Sequence, residues 1–323
     1  MQYISLLVKT AKNFLKPEEE QPLNKSRYTL VDTLSNNGAT TIYHCQLRLS
    51  HADVCLKVFN NRKCKKADRE SLEREVLNEI EILRRVNHPC LLGSTNIFLT
   101  QRRAVIEMDY MRGGDLYDYV STHGALCEHA ARTVMAQVFS GLHFLHESNI
   151  VHRDIKLDNI LIENPETLRV RISDFGLALS LDETPRPTEF VGTTYYIAPE
   201  LYRKQPYGPK VDVWAAGIVL YALLFVSFPF TGEGSELVAS ILRGKVTVPA
   251  SVSPVCRDFI ESALRQSVDR RLDSADALIH PFLEDMVILS ESVHQTQEQL
   301  CYCHSDSLLS KSRLTNEGSS SSL

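Results

Sequence analysis

The eight cysteines of this 323-residue chain include no C-x-x-C pair. Their scatter excludes a disulfide scaffold and points to a reduced, intracellular setting, cytosol or nucleus. Cys301, Cys303 and His304 are the one close group of metal-ligand types. Three such residues on a polar tail fall short of the usual four of a structural zinc site. A basic excess is also missing. The 35 Lys and Arg against 40 Asp and Glu leave a net charge of −5, so no global field attracts nucleic acid. No apolar run is long enough to span a bilayer; the longest, Val213 to Val226, suits a buried core helix. The N-terminus has no basic start and only a short apolar stretch, which speaks against a signal peptide. Gln2 in place of glycine excludes the myristoylation signal.

What is present is length enough for one two-lobed domain or two small ones, and 43% hydrophobic residues, which make a sizeable core available. Residues 1–16 have helical periodicity, with Ile4, Leu7, Val8, Ala11 and Leu15 on one face and Lys9, Lys12 and Lys16 beside it. Such a helix packs on the main domain or docks on a membrane surface or a partner. Lys16 to Pro22 reads as a linker, so residues 1–27 stand apart. From Tyr28 to Phe59 three strand-like segments alternate with polar turns. Residues 68–85 read as a helix with Leu72, Val76, Ile80 and Leu83 on its apolar face and Glu79 at the edge of that face. Ala104 to Met108 reads as a strand followed by a hinge. Beyond Gly114 the pattern turns helical, with Val134, Val138, Leu142 and Leu145 in one long amphipathic helix. A strand-rich first third and a helix-rich remainder predict two lobes with a ligand cleft between them. Residues 284–323 are polar and too poor in apolar content to fold alone.

The helix pattern leads into His152-Arg153-Asp154-Ile155-Lys156-Leu157-Asp158-Asn159. This stretch offers a carboxylate, a cation two places on, and an amide. Phosphoryl transfer needs a group to orient a hydroxyl, one to neutralise phosphoryl oxygens and one to hold a metal. The order H-R-D-x-K-x-x-N resembles the catalytic loop of eukaryotic protein kinases. Val54-Cys55-Leu56-Lys57 resembles the family's V-A-I-K strand, Asp174-Phe175-Gly176 its D-F-G and Ala198-Pro199-Glu200 its A-P-E. Gly192-Thr193 and Lys156 resemble the serine/threonine branch, and Asp212 with Trp214 resembles the D-x-W of the large lobe's central helix. Asn78 to Leu83 and Asn87 to Cys90 look like the calmodulin-dependent group, which includes checkpoint kinases.

The resemblance covers residues 28–283. It implies an α+β, bilobal protein kinase fold with a strand-rich N-lobe and a helical C-lobe. It also implies transfer of the γ-phosphate of ATP, with Mg2+, to serine or threonine hydroxyls of proteins. Carried over residue by residue, Asp154 accepts the substrate proton, Lys156 neutralises the phosphoryl group, and Thr193 hydrogen-bonds both. Lys57, positioned by Glu79, binds the α- and β-phosphates, and Asn159 and Asp174 hold the metal. Met108 stands at the gatekeeper place, the backbone of Asp109 and Met111 meets adenine, and Cys55 and Leu161 cover its two faces. Glu200 pairs with Arg271, and Asp212 takes hydrogen bonds from the catalytic-loop backbone. Asp115 and Asp158 stand where relatives that prefer basic residues before the acceptor carry acids, and Leu177 goes with serine over threonine. Glu189 occupies the place of an activating phosphothreonine that pairs with Arg153; Thr188 and Thr184 are the neighbouring alternatives.

One part departs from the pattern. The family's L-G-x-G-x-x-G-x-V falls on Leu34-Ser35-Asn36-Asn37-Gly38-Ala39-Thr40-Thr41-Ile42, so its three glycines are replaced by Ser35, Asn37 and Thr40. Glycine there permits unusual dihedrals and close approach to phosphate. Asn tolerates positive φ better than most residues, and Ser and Thr add hydroxyl donors. Two readings follow: an active kinase whose loop covers ATP less tightly, or a kinase-like scaffold with weak nucleotide binding. The presence of Lys57, Glu79, Asp154, Asn159 and Asp174 favours the enzyme.

Overall fold

The structure, a computed structural model, describes residues 26–60, 69–99, 103–284 and 286. The N-terminal helix pattern, its linker, most of the polar tail and the Cys301, Cys303 and His304 group lie outside the described residues. Five antiparallel strands form one sheet in the order β1-β2-β3-β5-β4. They are β1 (Tyr28–Asn36), β2 (Thr40–Leu47), β3 (Asp53–Asn60), β4 (Asn96–Leu99) and β5 (Arg103–Asp109). Helix α1 (Arg69–Arg85) connects β3 to the outer pair. Strand side chains alternate between faces, and residues paired in register share one. Ile42, Lys57 and Ile106 are aligned, as are Cys55 and Met108. This face carries the predicted nucleotide residues, and Val76 and Ile80 of α1 join Phe59 and Ile106 in the main core. The other face packs Tyr28, Cys45, Val54, Leu56 and Val58 into a separate small cluster.

Edge strand β1 is irregular. Its register slips between Leu30 and Asp32 and again between Thr33 and Ser35. Bulges of this kind twist an edge strand away from pairing with a second chain.

The rest of the fold is mainly helical: α2 (Leu116–His123), α3 (Glu128–Glu147), α4 (Pro199–Tyr202), α5 (Lys210–Phe225), α6 (Ser235–Arg243), α7 (Pro254–Ala263) and α8 (Ser274–Leu278). Short polar side chains start several of these helices. Asp115, Ser253 and Asp273 each accept an N–H of the first turn, and α4 and α7 carry proline in that turn. Helix α3 shows the predicted single apolar face. Helix α5 is apolar all round and correspondingly buried from Val211 to Leu224. It ends at Val226, whose φ of 48° is costly for a β-branched residue.

Two small antiparallel pairs carry the connections at the lobe junction. Strand β6 (Ile150–Val151) pairs with β9 (Leu179–Ser180), and β7 (Ile160–Asn164) pairs with β8 (Arg169–Ile172). The pattern reading did not anticipate these or β4, because segments of two to five residues are too short to show a period.

The sheet carries a buried carboxylate of its own. Glu107 of β5 accepts hydrogen bonds from the Tyr28 hydroxyl, Arg27 Nη2 (3.1 Å), Thr95 Oγ1 (3.0 Å) and Asn96 Nδ2 (2.5 Å). Burial pushes its pKa up. The Tyr28, Asn96 and Thr95 hydrogen bonds and the Arg27 charge outweigh that and hold it below the usual carboxylate value. A depressed folded pKa stabilises above the unfolded value, and that stability is lost as pH falls through the folded one. Glu107→Gln is expected to cost roughly 1–3 kcal/mol at neutral pH. The difference from the parent protein should shrink in urea melts as the pH is taken down below the ordinary glutamate range, where the parent carboxylate gains its proton.

Candidate active site

The hairpin of β7 and β8 explains how two distant motifs meet. Ile160 is in register with Ile172, and Ser173 N–H donates to Asn159 O at 2.8 Å. Asn159 and Asp174 are therefore neighbours at the mouth of one hairpin. On the other side, β6 delivers His152, Arg153 and Asp154. The buried Asp212 carboxylate of α5 accepts the N–H of His152 and of Arg153, both at 2.9 Å, and lies 3.0 Å from His146 Nε2. These are the backbone donors that sequence comparison had assigned to Asp212. Burial pushes the Asp212 pKa up, but the His146 hydrogen bond and charge and the His152 contacts outweigh it and keep it low. Bent around this carboxylate, Arg153 adopts φ 68°, a left-handed conformation costly outside glycine.

Asp154 lies at the centre of a compact polar group. Its Oδ1 accepts from Thr193 Oγ1 at 2.8 Å, and its Oδ2 lies 2.8 Å from Lys156 Nζ. Lys156 also donates to Thr193 Oγ1 at 3.0 Å. Asn159 Nδ2 donates to Asp154 O and Oδ2 at 2.8 and 2.9 Å, leaving its Oδ1 oxygen for other partners. Across the cleft, Lys57 Nζ lies 2.6 Å from Glu79 Oε1 and 2.8 Å from Asp174 Oδ1. Burial disfavours the Lys57 ammonium, but the Glu79 and Asp174 carboxylates more than offset it, so its pKa is raised and it stays charged. Burial likewise pushes Asp174 up, while the Lys57 charge and hydrogen bond bring it below its ordinary value. The half-exposed Asp174 carboxylate and the Asn159 amide oxygen are hard donors. That set fits Mg2+, which takes one or two protein oxygens together with substrate phosphates.

Of the residues the kinase resemblance assigns to adenine, Met108 faces Cys55 in register, Met111 is buried and Leu161 is half-buried in β7. Burial, with Cys45 nearby, pushes the Cys55 thiol up to about 12, so it is a neutral wall. The hinge residues are held from both lobes. Asp109 accepts from Arg171 at 3.1 Å, and Tyr110 stacks on the His44 ring at 3.7 Å. In the hairpin between β1 and β2 only Gly38 has positive φ; Ser35, Asn37 and Thr40 do not. The tolerance of Asn for left-handed backbone is therefore not used at Asn37, because the positive-φ position of this turn falls on Gly38.

Farther along, Glu200 is held by Arg271 through two bonds of 2.7 and 2.8 Å, both groups fully buried. Arg153 gathers Leu177 O (2.6 Å), Glu189 (3.0 Å) and the Tyr207 hydroxyl (3.1 Å). Burial first, with the Asp118 and Asp158 charges adding to it, pushes the Asp115 pKa up, and Asp115 also caps α2.

The family described as Protein kinase domain matches residues 28–283. The chain belongs to the protein kinase family. Similar proteins include sperm motility kinase 3A of Mus musculus, 30% identical over 262 residues, which are 80% of this chain and 50% of that protein. Calcium/calmodulin-dependent protein kinase type 1 of Macrobrachium nipponense is 30% identical over 292 residues, 88% of this chain and 83% of that one. Serine/threonine-protein kinase DCLK1 of Rattus norvegicus is 33% identical over 278 residues, 83% and 62% of the two chains. The chain spans about half the length of the sperm motility kinases it matches. No helix among the described residues is long and apolar enough to cross a membrane.

Sequence reading missed several groups that position this kinase's site. Asn78, beside Glu79, donates to Ala178 O at 2.7 Å. Arg85, on the same face of α1 two turns on, donates to Ser180 Oγ at 3.2 Å and Ser148 O at 2.5 Å. Together they fasten α1 to the segment after Asp-Phe-Gly and so keep Glu79 in reach of Lys57. Their partners are backbone oxygens, the Ser180 hydroxyl and, for Arg85, the Asp182 carboxylate at 3.5 Å, and no local pattern links these distant positions. Buried pairs are sensitive to loss of one partner, so Arg271→Ala is expected to lower stability by about 3–5 kcal/mol by leaving the Glu200 carboxylate buried and alone. Denaturant unfolding checks this, with Arg271→Lys falling between the two because it lacks the bidentate fork.

Proposed function

We propose that the chain is an active serine/threonine protein kinase that transfers the γ-phosphate of ATP to protein hydroxyls, with residues 28–283 as the working unit. The observation that carries this reading is the continuous polar chain Glu79–Lys57–Asp174 across the cleft from Asp154–Lys156–Thr193–Asn159. A nucleotide-poor scaffold would have no use for so complete a set.

In this reading Asp154 orients the acceptor hydroxyl. As the new O–P bond forms and the bond between the γ-phosphorus and the ADP oxygen breaks, the hydroxyl proton passes to Asp154 and then to solvent. Lys156 lies against the transferred group and offsets its negative charge; Thr193 holds Lys156 and Asp154 in register. Lys57, kept charged and aimed by Glu79 and Asp174, grips the α- and β-phosphates. Met108, Asp109, Met111, Cys55 and Leu161 take the adenine, and the hairpin 34–42 covers the phosphates. Mg2+, when bound by Asp174 and Asn159, supplies further neutralisation of phosphate charge. Catalysis of this kind is positioning and electrostatics, which the geometry is built to deliver.

The acceptor is a serine or threonine of a protein. The names of the relatives, DCLK1 among them, support that class. The Asp115 and Asp158 pair supports a preference for basic residues upstream, and Leu177 a preference for serine. The five described free cysteines support a reducing compartment, cytosol or nucleus.

With labelled ATP, Mg2+ and a degenerate peptide library, Lys57→Met and Asp174→Ala are each expected to cut transfer by at least about 100-fold while circular dichroism stays that of a folded protein. Failure of the parent protein to exceed an Asp154→Asn control would move the reading to the scaffold.

Glu189 adds a second expectation. It places a permanent carboxylate on Arg153, so the kinase works without phosphorylation of this segment. The pair is solvent-exposed on the Glu189 side, where an ion pair is worth about 0.2–1 kcal/mol. Glu189→Ala should therefore lower turnover by about two- to fivefold in phosphate-free protein, and Thr188→Ala should do little. Unmodified protein that is inactive until Thr188 is phosphorylated would remove the built-in charge.

A further inference from the structure

In the hairpin that replaces the glycine-rich loop the N–H groups of Asn37, Gly38 and Thr40 are engaged before any ligand arrives. Asn36 Oδ1 accepts the Gly38 N–H at 3.1 Å, and Asn37 Oδ1 accepts the Thr40 N–H at 2.9 Å. Asn37 N–H itself reaches Thr40 O at 3.1 Å, and Thr41 Oγ1 lies 3.5 Å from the same Asn36 oxygen. The tip is open: Gly38 has φ +91° and nothing within 4 Å of where a Cβ would stand. Its place is set by register, since Ile42 is opposite Lys57 and Thr40 opposite Phe59. The turn thus projects from the strand pair that carries the buried Lys57.

Converging backbone N–H groups in a turn receive anions. We propose that Asn36 and Asn37 lower the nucleotide affinity of this site, because their side-chain oxygens compete with phosphate oxygens for the N–H groups of Gly38 and Thr40. The proposal rests on the kinase reading and deepens it. A phosphate oxygen is charged and makes the stronger bond, so it displaces the amide oxygens, but binding is weakened by the bonds given up. A glycine in either place has no side-chain oxygen and imposes no such exchange. The consequence has an unusual sign: removing a polar side chain beside the phosphates should tighten binding. If the two amides instead donated to phosphate, removal would loosen it.

The test is MgADP titration of the full chain, by calorimetry, with a parallel phosphotransfer assay. Asn36→Ala with Asn37→Ala is expected to lower Kd about fivefold, or ~1 kcal/mol. Asn37→Gly alone should shift it in the same direction, and Asn36→Asp, which keeps the acceptor and adds a negative charge, should raise it. These side chains are exposed, and thermal melts confirm that each variant is folded. An unchanged or higher Kd in both the double variant and Asn37→Gly overturns the proposal. If the parent protein transfers phosphate in that case, the kinase reading stands without it. If the parent neither binds nor transfers, a gain of binding in the double variant upholds the competition and removes the active-enzyme reading. No binding in either overturns both.

Discussion

The Asp212 carboxylate is fully buried at the start of α5 and accepts two successive backbone N–H groups, those of His152 and Arg153. A buried carboxylate without donors is too costly to keep. The catalytic segment must therefore bend around it, and the left-handed turn at Arg153 is the result. Everything downstream inherits that bend. It turns the Arg153 side chain toward the segment after Asp-Phe-Gly and leaves Asp154 facing the cleft. It also brings the His152 ring within 3.0 Å of Ser173 O, just before Asp174. Helix α5 can serve as this anchor because it is buried on all sides and has no freedom to yield.

The second dependence runs between the lobes. One ammonium, Lys57, is shared between a helix of the N-lobe and a loop of the C-lobe. Burial works against its charge, and the Glu79 and Asp174 carboxylates more than offset that. The arrangement couples elements that could otherwise move apart, since α1 must stay docked for Glu79 to reach Lys57. Asn78 and Arg85 hold it there through contacts that lie outside the charge relay. Substrate-facing and scaffold functions are thus divided. The Lys57, Glu79 and Asp174 charges face the cleft, and the Asn78 amide and the Arg85 guanidinium, away from it, set the distance between the parts.

The polar groups around Asp154, Arg153 and the hairpin are partnered before ligand binds. Asp154 is ringed by Thr193, Lys156 and Asn159, Arg153 by three acceptors, and the hairpin amides by asparagine oxygens. Such a site is preorganised. Any incoming oxygen must exchange with existing ones where the partners coincide, and in the hairpin the existing ones are the Asn36 and Asn37 side-chain oxygens.

Much of the site was legible in the sequence, because its chemistry lies in short motifs whose internal spacing is local. The Asp154, Lys156 and Asn159 spacing, the Asp174 tripeptide and the alternation that puts Cys55 and Lys57 on one strand face need no distant contact. Helix α1 and the long α3 were readable from their apolar period, and the all-apolar α5 from its composition. Tertiary structure alone decided what meets across the chain. Lys57 and Asp174 are 117 positions apart and touch only because a sheet and a hairpin close on one cleft. The donors that fasten α1, the buried Glu107 with its four partners, and the choice of Arg153 among a carbonyl, a carboxylate and a phenol belong to the same class. So does the conformation of Asn37, which from composition alone was a candidate for positive φ and in the folded hairpin is not. The physical reason is the same in each case. Residue type fixes what a side chain can bond to, but which of several suitable partners it finds depends on which one packing brings within 3 Å or so.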